Sequence, residues 1–217
     1  RMGAGFFDEI LARDIPFIVT VHDFWWLCER QFMIDVNGEY CGQWQIDPKV
    51  CRRCNRRTQE VATRLNTLIG RLNQADRVVA PSRFMCDLLE ANGVDAHRLA
   101  VNRNGVTLPR PDRGQTPRIR EGGGPTVFGF VGGPGPIKGW DLIREAFAEL
   151  DRDDAALAVV DSGSRVNVSW ARSLRVPGVT EVTHVPPYDT DSMDTFFDQI
   201  DVLLCPARWK ESFGMVA

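Results

Sequence analysis

Short apolar runs that end at a polar pair, Gly or Pro and give way to helical spacing recur along this chain. No other feature constrains its fold as tightly. Pro16-Phe-Ile-Val-Thr-Val21 is one such run and stops at His22-Asp23. A run without alternation reads as a strand covered on both faces, as in a parallel sheet. Phe6 to Arg13 reads as the end of a helix before it. Further on, Val61, Leu65, Leu68, Ile69 and Leu72 share one face of a helix over 59–75. Asp76-Arg-Val-Val-Ala80 predicts a second strand. Pro81-Ser82 opens a helix with Ser82 as N-cap, Met85, Leu88 and Leu89 inward, and Gly93 as its stop. Leu99-Ala-Val-Asn102 is a third strand. The order restarts with a strand at 126–131, a helix at 139–150 and a strand at 156–160. After a poorly defined stretch it closes with a strand at 201–205.

Strands alternating with helices on both sides of a Pro-, Arg- and Gly-rich stretch predict two α/β halves. The expected division is residues 1–106, a linker at 107–125, and residues 126–217. Residues 24–57 interrupt the first half as an irregular, cysteine-rich insert. There are no internal repeats.

Composition narrows the function. The 217 residues carry a net charge of −3, which gives no global case for nucleic-acid binding. No stretch approaches the roughly 18 uncharged apolar residues of a membrane span. The first residues lack the order of a signal peptide. Six cysteines in a chain this long do not read as a secreted disulfide framework. A cytosolic location is the default expectation.

Two loops carry the chemistry. Strand 126–131 runs into Gly132-Gly133-Pro-Gly135-Pro-Ile-Lys138-Gly139. The helix behind it has Leu142, Ile143, Ala146, Phe147 and Leu150 on one face. Glycines let backbone approach a phosphate, the helix start adds a positive dipole, and Lys138 adds a full charge. The plainer alternative is a Gly-rich turn with a solvated Lys. The second loop, Glu211-Ser212-Phe213-Gly214, follows Val202-Leu-Leu-Cys205 and a break at Pro206. It offers a carboxylate and further N–H groups. Together the loops match a sugar diphosphate, which needs donors and a cation for its phosphates and an acceptor for its hydroxyls.

Both segments resemble the donor-binding half of family 4 glycosyltransferases, the group 1 glycosyl transferases, which are retaining enzymes of GT-B fold. The likeness extends over nearly the whole chain, most specifically at 16–28, 76–84, 128–140 and 201–214. It implies two Rossmann-like halves facing a cleft, both incomplete here. The family's Glu-x-Phe-Gly segment continues to a second Glu eight residues on, which would be position 219. The chain therefore reads as an internal fragment.

The resemblance assigns roles by position. Lys138 matches the Lys of a Lys-Gly pair that stabilises the diphosphate. The Arg expected before it is replaced by Gly133. Glu211 would hold the donor hexose, and His22 would touch the sugar or its phosphate. Gly132, Gly133, Gly139, Ser212, Phe213, Gly214 and Met215 would shape the donor pocket. Asp23, Ser82 and Arg83 are candidates for the acceptor or phosphate side. The implied reaction moves a hexosyl group from a UDP- or GDP-sugar to a glycan, lipid-linked or small-molecule acceptor. It needs no catalytic metal. Alternatives are another GT-B enzyme, such as a sugar-nucleotide epimerase, and a non-catalytic, zinc-stabilised binding module.

Cys28, Cys41, Cys51 and Cys54 are separated by 12, 9 and 2 residues. The Cys51-x-x-Cys54 pair has the spacing of half a structural zinc site. The four are candidate zinc ligands, free thiols or a redox pair. Cys86 and Cys205 read as core residues. Arg52, Arg53, Arg56 and Arg57 surround the pair and mark a solvated loop, a contact with a phosphorylated acceptor, or a contact with anionic lipid at the inner membrane face. Trp25-Trp26 packs against the loop or forms an acceptor platform.

Overall fold

The computed structural model describes residues 5–55, 57–105, 124–150, 154–160, 175–189 and 192–213. It divides into two compact units, one of Arg1–Gly105 with Trp209–Met215 and one of Val106–Arg208 with Val216–Ala217.

The first unit contains α1 (Gly5–Ala12), β1 (Ile18–Thr20), α2 (Thr58–Leu72), β2 (Arg77–Ala80), α3 (Arg83–Ala91) and β3 (Leu99–Val101). Its described strands form a parallel sheet in the order β1-β2-β3, with Val19 opposite Val78 and Val79 opposite Ala100. The core gathers Val19, Val21, Val78 and Ala80 from the sheet, Leu72 from α2, and Met85, Leu88 and Leu89 from α3. Those last three stand at helical spacing behind the Ser82 cap. The Ser82 hydroxyl accepts from Met85 N–H at 3.2 Å, and Gly93 follows the helix at φ +95°.

β1 departs from its expected double burial. Val19 is buried, but Ile18 is 65% exposed and Thr20 is exposed. It is an edge strand of the described sheet, with only one face on the core. Alternation therefore decides which side chains are covered.

The insert is more ordered than its sequence implies. It holds 3-10 turns at Phe24–Trp26 and Val50–Arg53 and a bridge between Ile34 and Tyr40. Asn92, just past α3, pins it. The Asn92 side chain accepts from Ile46 N–H at 2.7 Å and donates to Trp44 O and Leu88 O, both at 2.8 Å. Asn92→Ala removes all three bonds and is expected to destabilise the protein by about 1–3 kcal/mol. Urea unfolding checks this, and an unchanged midpoint would show that the insert is held by apolar packing alone.

The second unit contains β4 (Thr126–Val131), α4 (Trp140–Glu149), β5 (Ala155–Val160), β6 (Glu181–Val185), α5 (Asp194–Phe197) and β7 (Val202–Leu204). Its described strands form a parallel sheet in the order β6-β5-β4-β7. All six residues of β5 are buried, as its unbroken Ala/Val/Leu run requires of an interior strand. β7 is pinned to β4 by Asp201. Its N–H donates to Val127 O, and its carboxylate accepts from Val127 N–H, both at 2.8 Å.

Two expectations need correction here. The buried stripe of α4 is Trp140, Ile143 and Phe147, whereas Leu142, Ala146 and Leu150 are exposed. The helix lays a narrower face on the sheet than five apolar positions imply. Cys205 lies one residue past β7 and is exposed rather than part of the core.

Candidate active site

The turn between β4 and α4 is built around backbone. Gly132 N–H donates to Val160 O at 2.9 Å, extending the ladder one step beyond β4. A 3-10 turn at Pro136–Lys138 follows, and Gly139 enters the helix at φ +74°, ψ +26°. A Cβ at Gly139 would lie 2.0 Å from Pro206 O, so the position admits only glycine. Gly139, at the N-cap position, brings no side chain to cap α4. A helix start leaves N–H groups without intrahelical partners at the positive end of the dipole. Lys138 is half-buried directly before that start, with its Cβ against the space beside Gly132. Gly133 is half-buried in the same turn.

The loop after β7 is stitched to this turn by a residue that sequence reasoning missed. Arg208 N–H donates to Ile137 O at 3.1 Å. Its guanidinium pairs with Asp141 at 2.7 Å, in the first turn of α4, with a side chain only 25% exposed. The only signal in the sequence is an Arg between Pro206 and Glu211.

In the first unit, His22 is exposed just past the carboxyl end of β1. Its carbonyl accepts from the Ser212 hydroxyl at 2.6 Å. Glu211 and Phe213 flank that contact and are half-buried. Trp209, also missed, anchors the segment edge-on against Phe24 at 5.9 Å and Phe32 at 5.0 Å. Lys210 stands 5.2 Å over the Phe84 ring. The structure thus brings Ser212 to His22, two residues distant in sequence that were assigned to one site. Gly214 and Met215 lie outside the described residues.

The remaining candidates are engaged locally. Asp23 caps the Phe24–Trp26 turn by accepting from Trp25 N–H at 2.8 Å, and its second oxygen accepts from the Gln31 side chain. Both carboxylate oxygens therefore serve the insert. The Ser82 hydroxyl caps α3. Arg83 is 80% exposed and pairs with Asp87 at 2.7 Å. Trp25 and Trp26 pack edge-on at 5.4 Å, with the Arg64 guanidinium over Trp25 at 4.8 Å.

The four insert cysteines are half-buried free thiols that line one cavity of about 620 Å³. Burial pushes the Cys28 and Cys51 thiols up from their ordinary value, and the neighbouring cysteines add to that rise. Among the described residues, no three His, Cys, Asp or Glu side chains already converge as a metal cradle.

The described parallel sheets and helices define an α/β protein, and a Gly-rich strand-to-helix turn at the carboxyl end of a parallel sheet is where open α/β folds bind ligands. Residues 2–110 match the family model for Glycosyltransferase Family 4, and residues 115–217 match that for Glycosyl transferases group 1. The chain belongs to the family 4, group 1 glycosyltransferases.

Among relatives, the D-inositol 3-phosphate glycosyltransferase of Salinispora arenicola is 34% identical over 169 residues, covering 66% of this chain and 37% of that protein. The one from Rhodococcus opacus is 32% identical, covering 66% and 35%. The chain thus spans little more than a third of the length of these relatives. Among solved structures, Anabaena HepE in complex with UDP matches with a TM-score of 0.62 at 16% identity, over 98% of this chain and 52% of that one. Its complex with UDP-glucose matches with a TM-score of 0.60 at 15% identity. These likenesses show the fold. Among the described residues, no helix is long and apolar enough to cross a membrane.

Proposed function

We propose that this chain is part of a retaining glycosyltransferase that moves a hexosyl group from a nucleotide diphosphate sugar to a glycan, lipid-linked or small-molecule acceptor. The observation that carries the reading is Lys138-Gly139 at the start of α4, in the turn that follows the carboxyl end of β4. A departing diphosphate accumulates negative charge there, and Lys138 with the helix-start N–H groups neutralises it. Gly132 and Gly139 let the turn pack tightly against Phe130 and Pro206, which fixes the backbone on either side of Lys138. Arg208, through Asp141, holds the turn in shape.

Glu211 accepts from the hexose hydroxyls, and His22 contacts the sugar or its phosphate. The Ser212–His22 contact supports their placement beside one ligand. A cation and N–H groups suffice for the leaving charge, so the reaction calls for no catalytic metal. Neither loop offers a residue assigned as a nucleophile. Attack on the face the diphosphate leaves, with that diphosphate as base, retains the anomeric configuration. UDP-sugars are the favoured donors because HepE is solved with UDP and UDP-glucose. A phosphorylated polyol is the favoured acceptor, by likeness to the inositol phosphate enzymes. Exposed Arg52, Arg53 and Arg57 support a contact with an anionic acceptor or lipid surface.

Thermal-shift screening with UDP-, GDP- and ADP-sugars tests the reading. Stabilisation by one nucleotide class is expected, and Lys138→Ala and Glu211→Ala should each reduce it. A folded protein that no nucleotide sugar stabilises would overturn the proposal in favour of a non-catalytic binding module.

A further inference from the structure

The cysteines of the insert come from three separate stretches of it, yet all four line one cavity. One side-chain donor stands among their sulfurs. Cys28 is half-buried on the wall of that cavity. Gln43 Nε2 lies between two other thiols, 3.6 Å from Cys51 Sγ and 3.9 Å from Cys41 Sγ. Cys51 and Cys54 share a 3-10 turn in which Cys54 N–H and Asn55 N–H both fold back on Cys51 O at 2.9 Å. The Gln43 amide stabilises a thiolate far more than a neutral thiol. A half-buried cluster of thiolates is in turn stable only around a cation.

We infer that Cys28, Cys41, Cys51 and Cys54 bind one zinc ion as a structural site. Four thiolates at one point select a soft, tetrahedral ion without redox chemistry, and that description fits Zn²⁺. On binding, each thiol releases its proton to solvent and one Zn–S bond forms, leaving a centre of net charge −2. Arg30, Arg53 and Arg64 share the cavity wall and face that charge, alongside the carboxylates of Glu29, Asp35 and Glu39. No three of these sulfurs form a metal cradle in the structure, so binding requires them to close on the ion. The Gln43 amide then becomes part of the outer shell that orients the ligands.

The site gives the insert what its sequence lacks, a centre to fold around. It also reaches the candidate active site through the backbone. Cys28 N–H donates to Phe24 O at 2.7 Å, in the turn that Asp23 caps beside His22. Fixing Cys28 therefore fixes the loop that follows His22.

Elemental mass spectrometry of the protein purified without an affinity metal tests the site. About one zinc per chain is expected. Zinc should be lost in Cys28→Ser and Cys51→Ser and retained in Cys86→Ser. Cobalt exchanged into the unmodified protein should give thiolate charge-transfer bands and the visible bands of a tetrahedral centre, a readout that does not depend on any variant folding. Zinc below about a tenth per chain in folded protein would overturn the inference. So would full zinc in Cys51→Ser, a disulfide among the four, or cobalt spectra without thiolate bands. None of these results bears on donor binding, so the site and the transfer reaction stand or fall separately.

Discussion

Lys138→Ala is expected to lower kcat for sugar transfer by about 10²–10³. The charge it removes acts on the diphosphate as that group departs, so the loss should fall on kcat more than on KM. Lys138 sits at a loop-to-helix junction, half-buried and outside the packed core. Its removal should therefore shift the melting temperature by no more than about 2 °C. Lys138→Arg, which keeps the charge but changes its reach, should recover part of the rate. Steady-state kinetics on the full-length enzyme, paired with thermal unfolding, make the check. A rise in KM with kcat unchanged would mean that Lys138 only binds the donor. Because glycine stands at position 133, where the family carries Arg, the turn supplies one side-chain cation, and the whole effect should concentrate on Lys138.

Gly139→Ala should have the larger structural effect. A Cβ there meets the backbone oxygen of Pro206 at 2.0 Å, and a backbone atom cannot rotate away. The backbone angle of φ +74° adds a left-handed penalty. Together these are expected to cost roughly 2–5 kcal/mol, or about 5–15 °C in melting temperature for a protein of this size. Gly135, four residues earlier, is the control. A Cβ there meets nothing within 4 Å, so Gly135→Ala should stay within about 0.5 kcal/mol of the parent. Equal melting temperatures for the two variants would show that the β7 loop yields freely. The close packing between Gly139 and Pro206 would then lose its significance.

The elements that were legible are those whose signal is local. α3 announced itself by a serine cap, an inward stripe and a terminal glycine. β5 did so by an unbroken apolar run that only an interior strand can bury. β6 gave no such signal. Glu181-Val-Thr-His-Val185 sets polar residues at alternate positions, since the strand borders β5 on one side only and keeps part of its surface in water. α4 was found, but its stripe was misread because Trp140, at the very start of the helix, carries much of the burial.

The site divides along the same line. The sequence by itself determined the chemistry on offer. A glycine-rich turn, one lysine before a helix and a Glu-x-Phe-Gly segment are contiguous patterns, and their resemblance to a family needs no coordinates. It also supplied four cysteines, two of them at the Cys-x-x-Cys spacing of half a zinc site. Only the tertiary structure decided which groups have partners. Arg208 is tied to Asp141 and Ile137, Ser212 to the carbonyl of His22, and Asp23 has both oxygens turned to its own insert. These are contacts between residues up to 190 positions apart, or between a side chain and a backbone that only the fold places beside it. A sequence specifies a residue's chemistry directly. It specifies the residue's partner only through packing, because hydrogen bonds and ion pairs need distances that the whole chain must close.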